Sequence, residues 1–318
     1  MTLLVVIRGA GDNWAPEPWR RRFAERLPGR SVLLWPDMPR DTSGITYAAV
    51  WKPPQGLLRE LPNLKAIFNL GAGVDALMQD ATLPDVPLIR VVTDDLTKRM
   101  TEYVTLHVLM HHRRQRELDA AQQRRAWEAK DQWAARALRV GIMGMGELGR
   151  DAAEVLLRLG FQVNGWSRSP REVPGVKTFH GTAGLDAFLA VTDILVALMP
   201  LTPETRGILA RPLFAKLARD GVLGAPVVIN AGRGGLQVEA DIVSALDDGT
   251  LGAVTLDVFE TEPLPPESPL WSHPRVTVTP HNAADSDPDA ISDYVAGQIR
   301  AYEAGQPLRN VVDRRQGY

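Results

Sequence analysis

The stretch Arg139-Val-Gly-Ile-Met-Gly-Met-Gly-Glu-Leu-Gly149 begins as an apolar run and ends in glycines at 144, 146 and 149. A helix-favouring segment follows from Leu148 to Leu159, so the order is strand, tight turn, helix. Each glycine has a steric task. Gly144 permits the turn, Gly146 lets the backbone approach a pyrophosphate, and Gly149 lets the helix pack closely on the strand. The helix N-terminus, with Glu147 and Leu148 in its first turn, then faces the phosphate charge. This one segment predicts a parallel-sheet α/β domain that binds a dinucleotide.

Working outward from it, further short apolar runs at 162–166, 194–198, 227–229, 253–256 and 276–279 predict the remaining strands of that unit. Upstream, runs at 3–7, 32–35, 48–51, 66–70 and 88–91 predict a second, smaller α/β unit. Between them a polar stretch from about 101 to 133, free of Gly and Pro, predicts one long bridging helix. Its arginines 113, 114, 116, 124 and 125 are interleaved with acidic residues and read as a solvated face. After Pro280, Ile291, Val295, Ile299 and Tyr302 fall at three- and four-residue spacing, which predicts a closing amphipathic helix at 288–303. The chain has 318 residues against roughly 100 to 200 per domain, so two domains are expected. The fold class expected is α/β, with two doubly wound parallel-sheet domains, Rossmann-like and flavodoxin-like. Their boundaries are set at 1–100 plus 284–318 for the smaller, discontinuous domain and 101–283 for the larger.

Composition removes several alternatives. Apolar residues make up 45% and charged residues 23%, which is ordinary for a folded globular chain. With 36 basic and 38 acidic residues the net charge is -2, so no overall positive field gathers nucleic acid or anionic lipid. Zero cysteines remove disulfides, thiolate metal sites and cysteine nucleophiles, and fit a reducing, cytoplasmic setting. No metal is expected. The opening MTLLVVIRGA has five apolar residues in a row, Leu3 to Ile7, before Arg8, too few for a signal-peptide core or a membrane span, and reads as a buried first strand.

The strand after the glycine turn should end on the residue that reads the adenosine ribose. Here Ser167, Arg168 and Ser169 stand there, where an NAD enzyme carries Asp or Glu. A hydroxyl and a guanidinium suit a 2′-phosphate, so NADP(H) is the preferred cofactor and NAD(H) the alternative. Two other glycine turns lack the third glycine. Gly9-Ala10-Gly11 reads as a plain βα turn, whereas Gly71-Ala72-Gly73-Val74 leads into a short helix and its amides could form an anion nest for a carboxylate.

A hydride-transfer enzyme also needs a proton donor and a substrate anchor. Of six histidines, 107, 111 and 112 sit on the bridging helix and read as surface or packing residues, while His180 and His273 fall in turn-like segments without visible partners. His281 follows Thr277-Val-Thr-Pro280 at a strand end, where open α/β sheets place ligands, and is the best acid in the chain. Two more strand ends carry charge beside a turn: Asn230-Ala-Gly-Arg-Gly-Gly235 and Asp257-Val-Phe-Glu-Thr-Glu-Pro263.

Taken in order, the glycine turn, the 230–235 loop, the 257–263 segment and Pro280-His281 resemble the D-isomer-specific 2-hydroxyacid dehydrogenases over nearly the whole chain. Val50-Trp-Lys-Pro-Pro54, Leu70-Gly-Ala-Gly-Val-Asp75, 263–271 and the terminal Asp313-Arg-Arg-Gln-Gly-Tyr318 place it nearest the branch that reduces glyoxylate and hydroxypyruvate. The resemblance implies an active-site cleft between the domains and a homodimer, for which the region of Trp127 and Trp133 is the expected contact surface. It implies His281 as proton donor, Glu262 as the carboxylate that orients its ring, and Arg233 as the fork that grips the carboxylate and carbonyl oxygen of a small 2-keto acid. Gly71, Ala72, Gly73 and Val74 would add donors to that carboxylate, and Trp51 would line the pocket. Along the cofactor it implies Gly144, Gly146, Glu147, Leu148, Gly149, Ser167, Arg168, Ser169, Met199, Pro200, Thr205, Ala231, Gly232, Arg233, Asp257 and His281. The segment 94–100 departs from the glycine-containing turn of that branch, and 282–285 is more polar than its counterpart. Two alternatives stay open: a reductase of a longer 2-keto acid, and a non-catalytic nucleotide-sensing regulator of the same fold.

Overall fold

A computed structural model describes residues 1–9 and 14–315. Most of the Gly9-Ala10-Gly11 turn, and the Gln316-Gly-Tyr318 end of the terminal motif, lie outside the described residues. The chain forms two compact units, 1–96 with 286–318, and 97–285.

The first unit is a five-stranded parallel sheet of β1 (Thr2–Ile7), β2 (Ser31–Leu34), β3 (Ile45–Trp51), β4 (Ala66–Asn69) and β5 (Leu88–Arg90), in the flavodoxin-like order β2-β1-β3-β4-β5. The unbroken apolar run of β1 follows from burial on both faces. Leu3, Val5 and Ile7 pack with Trp19 and Phe23 of the Pro16–Arg26 helix and with Ile291, Val295 and Ile299 of the Pro288–Glu303 helix. Leu4 and Val6 face Leu58, Leu61 and Leu77 on the other side. The closing helix spans the expected residues, is capped by the Asp287 side chain, and is tied to the first helix by Arg26 on Asp289 and Asp293.

The second unit is a seven-stranded parallel sheet: β6 (Arg139–Met143), β7 (Gln162–Ser167), β8 (Lys177–His180), β9 (Ile194–Ala197), β10 (Val227–Asn230), β11 (Ala253–Leu256) and β12 (Val276–Val278). The order β8-β7-β6-β9-β10-β11-β12 is the Rossmann arrangement with one strand added. Both sheets are entirely parallel, as the fold class expected. Strand β8 lies outside the expected apolar runs, and it places His180 on a strand rather than in a turn. It is an edge strand with no buried residue, so no apolar run marked it.

The single bridging helix is a correction. The helix covers Asp94–His112, breaks where Arg114 takes a left-handed φ of 56°, and resumes over Gln115–Gln123. No Gly or Pro announces the break. Arg114 is held there by two hydrogen bonds to Glu117, with its guanidinium over the Trp133 ring. At the other end the Thr93 hydroxyl accepts from Leu96 N, and Asp94 and Asp95 sit in the first turn, so the departing segment 94–100 is helix. Arg116 is also more than a solvated residue, since it donates to Thr277 Oγ1 and the Pro274 carbonyl.

Candidate active site

The glycine turn joins β6 to the Glu147–Arg158 helix, and the three glycines differ in what surrounds them. Gly144 has a φ of 107°, and a Cβ there would meet the Leu198 carbonyl oxygen at 2.8 Å. A Cβ on Gly149 would fall 2.1 Å from the Gly144 carbonyl oxygen, so this glycine lets the helix close on the turn. At Gly146 a Cβ would meet nothing within 4 Å. Protein packing therefore does not require glycine at 146, whereas a pyrophosphate lying against that backbone would. The helix starts at Gly146 without a side-chain cap, which leaves its first amides to an anion. These residues fit a dinucleotide.

Strand β7 ends at Ser167 as expected, but Ser167 is buried and its hydroxyl donates to the Ser169 carbonyl at 2.8 Å. In this conformation the hydroxyl proton is spent on the turn, and a 2′-phosphate is left to the exposed Arg168 and to Ser169. Thr205 braces the 199–205 loop by donating to the Pro200 carbonyl and accepting from Thr202 N. Cβ atoms on Gly232 and Gly234 would meet the Met199 and Phe259 carbonyl oxygens. The loops after β6, β9, β10 and β11 therefore lie side by side along the C-terminal edge of the sheet, where open α/β folds bind ligands.

At the end of that row stand the acid and its partner. His281 Nδ1 lies 2.7 Å from Glu262 Oε2, with the histidine side chain 49% and the carboxylate 32% exposed. Glu262 Oε1 accepts from Phe259 N, which fixes the carboxylate on its own loop. A carboxylate can only accept, so Nδ1 carries the hydrogen of this bond. Asp257 is buried and its carboxylate takes Thr279 Oγ1, Asn282 N and Ala283 N. Half-buried Arg233 donates to the Gly232 carbonyl, and its loop is organised by fully buried Asn230, which donates to the Arg233 carbonyl and to Gln237 and accepts from Gly232 N.

In the smaller unit, Asn69 sets the Gly71–Val74 loop by donating to the Gly71 and Gly73 carbonyls at 2.7 and 2.8 Å. In a planar trans peptide the next amide points the opposite way, so the N–H groups of Ala72 and Val74 are aimed away from Asn69. Trp51 presses on Gly71, where a Cβ would come 2.3 Å from its ring, and stacks on Trp14 at 4.5 Å. Sequence reasoning missed Asn69, Trp14, Thr279 and Tyr103, because each acts through a partner that only the fold brings near. It also missed the partners of three histidines. His107 Nδ1 donates to the Tyr103 carbonyl, His111 Nε2 meets Thr255 Oγ1, and His273 Nδ1 accepts from Arg275 N. Among the described residues no cluster of His, Asp and Glu forms a metal site, and no helix is long and apolar enough to cross a membrane.

A parallel sheet with this glycine turn, and a histidine held by a glutamate at its edge, define a dinucleotide-dependent oxidoreductase. The chain belongs to the D-isomer specific 2-hydroxyacid dehydrogenase family, whose NAD-binding-domain model matches residues 105–283. It is 43% identical over 308 residues to glyoxylate/hydroxypyruvate reductase A of Serratia proteamaculans, covering 95% of this chain and 96% of the relative. Among solved structures it is similar to an NADPH-dependent glyoxylate/hydroxypyruvate reductase of Sinorhizobium meliloti in complex with NADP and sulfate, at 50% identity and a TM-score of 0.94 over 100% of both chains. A probable 2-hydroxyacid dehydrogenase of Rhizobium etli, bound to NADP, HEPES and L(+)-tartaric acid, matches at 48% identity and 0.94 over 99% of each.

Proposed function

We propose that this chain is an NADPH-dependent reductase of small 2-keto acids, converting glyoxylate to glycolate and hydroxypyruvate to D-glycerate. The observation that carries the reading is the 2.7 Å bond between Glu262 Oε2 and His281 Nδ1, on the sheet edge that also bears the glycine turn. NADPH, when bound, would supply a hydride to the C2 carbon. Because Glu262 takes the Nδ1 hydrogen, Nε2 is the nitrogen left to give a proton to the carbonyl oxygen. Arg233 binds the substrate carboxylate and polarises the carbonyl oxygen, which a two-pronged guanidinium does better than a lysine. The amides of Ala72 and Val74 add donors to the carboxylate, and Trp51, fixed by Trp14 and Gly71, limits the length of the acid. In the net reaction a 2-keto acid, NADPH and one proton become a 2-hydroxy acid and NADP+. The turn shaped by Gly144, Gly146 and Gly149 would hold the pyrophosphate against Gly146, Arg168 and Ser169 would hold the 2′-phosphate, and Met199, Pro200, Thr205, Ala231 and Gly232 would line the rest of the cofactor.

The names of the Serratia and Sinorhizobium relatives support this substrate class, and the NADP in the Sinorhizobium and Rhizobium structures supports the cofactor. The same reading places the enzyme in the cytoplasm as a homodimer, with the segment around fully exposed Trp127 as the contact. The test is NADPH consumption with glyoxylate, hydroxypyruvate and longer or branched 2-keto acids, repeated with NADH. Turnover fastest with the two small acids and NADPH is expected. Preference for a longer acid would move the assignment to another reductase of the family, and tight NADPH binding without any turnover would move it to a nucleotide-sensing regulator.

A further inference from the structure

His281 has a φ of 53°, a left-handed conformation that a non-glycine residue holds only when its surroundings impose it. The imposing group is Asp257. Its backbone carbonyl accepts from His281 N at 2.8 Å, Oδ1 accepts from Asn282 N at 3.0 Å, and Oδ2 from Ala283 N at 3.1 Å. Three consecutive amides are thus tied to one residue that is itself 1% exposed. The carboxylate is aimed by Thr279, whose hydroxyl donates to Oδ1 at 2.6 Å. Thr279 has one proton to give, so its 2.8 Å bond to Tyr103 must be donated by the tyrosine. Burial pushes the Tyr103 phenol well above its ordinary range, which keeps it a neutral donor.

We infer that Tyr103 and Thr279 are positioning residues for the proton donor. The chain Tyr103 to Thr279 to Asp257 locks the 281–283 turn, so that His281 Nδ1 stays on Glu262 and Nε2 stays where the developing alkoxide needs a proton. The inference rests on the proposed role of His281. Tyr103 and Thr279 are not among the residues assigned to the cofactor, and the network meets it only through Asp257 and His281, so the larger effect falls on the chemical step.

The experiment measures kcat and KM with glyoxylate, NADPH affinity by fluorescence titration, and melting temperature for Thr279→Val, Thr279→Ser and Tyr103→Phe. Loss of one aiming bond should lower kcat about ten- to a hundredfold in Thr279→Val, with NADPH affinity within about twofold of the parent. Thr279→Ser keeps the hydroxyl and should restore most of the rate. Tyr103→Phe removes one oxygen and should slow turnover in the same direction, and it carries the test if Thr279→Val does not fold. Each change is then combined with His281→Ala. A residue that acts through His281 has nothing left to position, so the double variant should be no slower than His281→Ala alone. Wild-type kcat in Thr279→Val and Tyr103→Phe, an unrescued Thr279→Ser with normal melting, or a full additional loss in the double variant would overturn the inference. A His281→Ala protein as active as the parent would instead overturn the proposed function.

Discussion

Gly146 and Gly149 stand three residues apart, and alanine at the two positions should have opposite effects. A methyl at 149 would sit 2.1 Å from a backbone carbonyl oxygen that cannot swing aside, so Gly149→Ala should lose about 1–3 kcal/mol of stability, read as a lower denaturant midpoint. A methyl at 146 meets no protein atom within 4 Å, and its φ of −79° suits alanine, so Gly146→Ala should melt like the parent. Its NADPH affinity should fall by about tenfold or more, which corresponds to roughly 1.4 kcal/mol of lost phosphate contact. Normal affinity in Gly146→Ala would remove the main physical support for the cofactor site. At this scale the glycine turn was fully legible, because its three glycines fall within six residues between a strand and a helix. Ser167 was half legible: its place at the strand end could be read, but not that its hydroxyl is turned to Ser169. Tyr103 and Thr279 were not legible as a pair, since 176 positions separate them.

Among the elements, the Asp94–His112 helix shows most clearly what pattern reading loses. The stretch without Gly or Pro suggests one helix to residue 133, but the helix ends at His112, Arg114 takes the left-handed position, and a second helix runs only from Gln115 to Gln123. Inside that helix His111 is pushed from an ordinary pKa of 6.5 to about 4, first by burial and then by the nearby His107 and Arg116. His107 and His112 shift in the same direction, also through burial. The unfolded chain takes up these protons near pH 6.5 while the folded protein resists, so the unfolded state binds more protons in that interval. Stability is therefore present above pH 6.5 and falls as the pH drops toward 4. Thermal melts at several pH values should show this decline. His111→Gln, which can keep a bond to Thr255 without titrating, should make it shallower, and an unchanged slope would mean that His111 does not contribute.

At the scale of the molecule, the two parallel-sheet units follow from where the apolar runs fall, while the right-handed crossover rule only narrows the strand orders open to them. Strand number was short by one, because an edge strand with no buried residue leaves no hydrophobic trace. The proposed dimer comes from the resemblance alone, and the wholly exposed Trp127 side chain is the feature that suits a contact between copies. Trp127→Glu should shift a dimer toward monomer in light scattering, with folding unaffected; a dimer of undiminished stability would place the contact elsewhere. The central claim is that this chain reduces 2-keto acids with His281 as the acid, and the most direct test compares the parent with His281→Ala in NADPH consumption and NADPH binding. The parent should consume NADPH rapidly with glyoxylate. The variant should be slower by about a hundredfold to ten-thousandfold and should still bind NADPH as before. Equal turnover by the two proteins, or a parent that binds NADPH and turns over no keto acid, would contradict it.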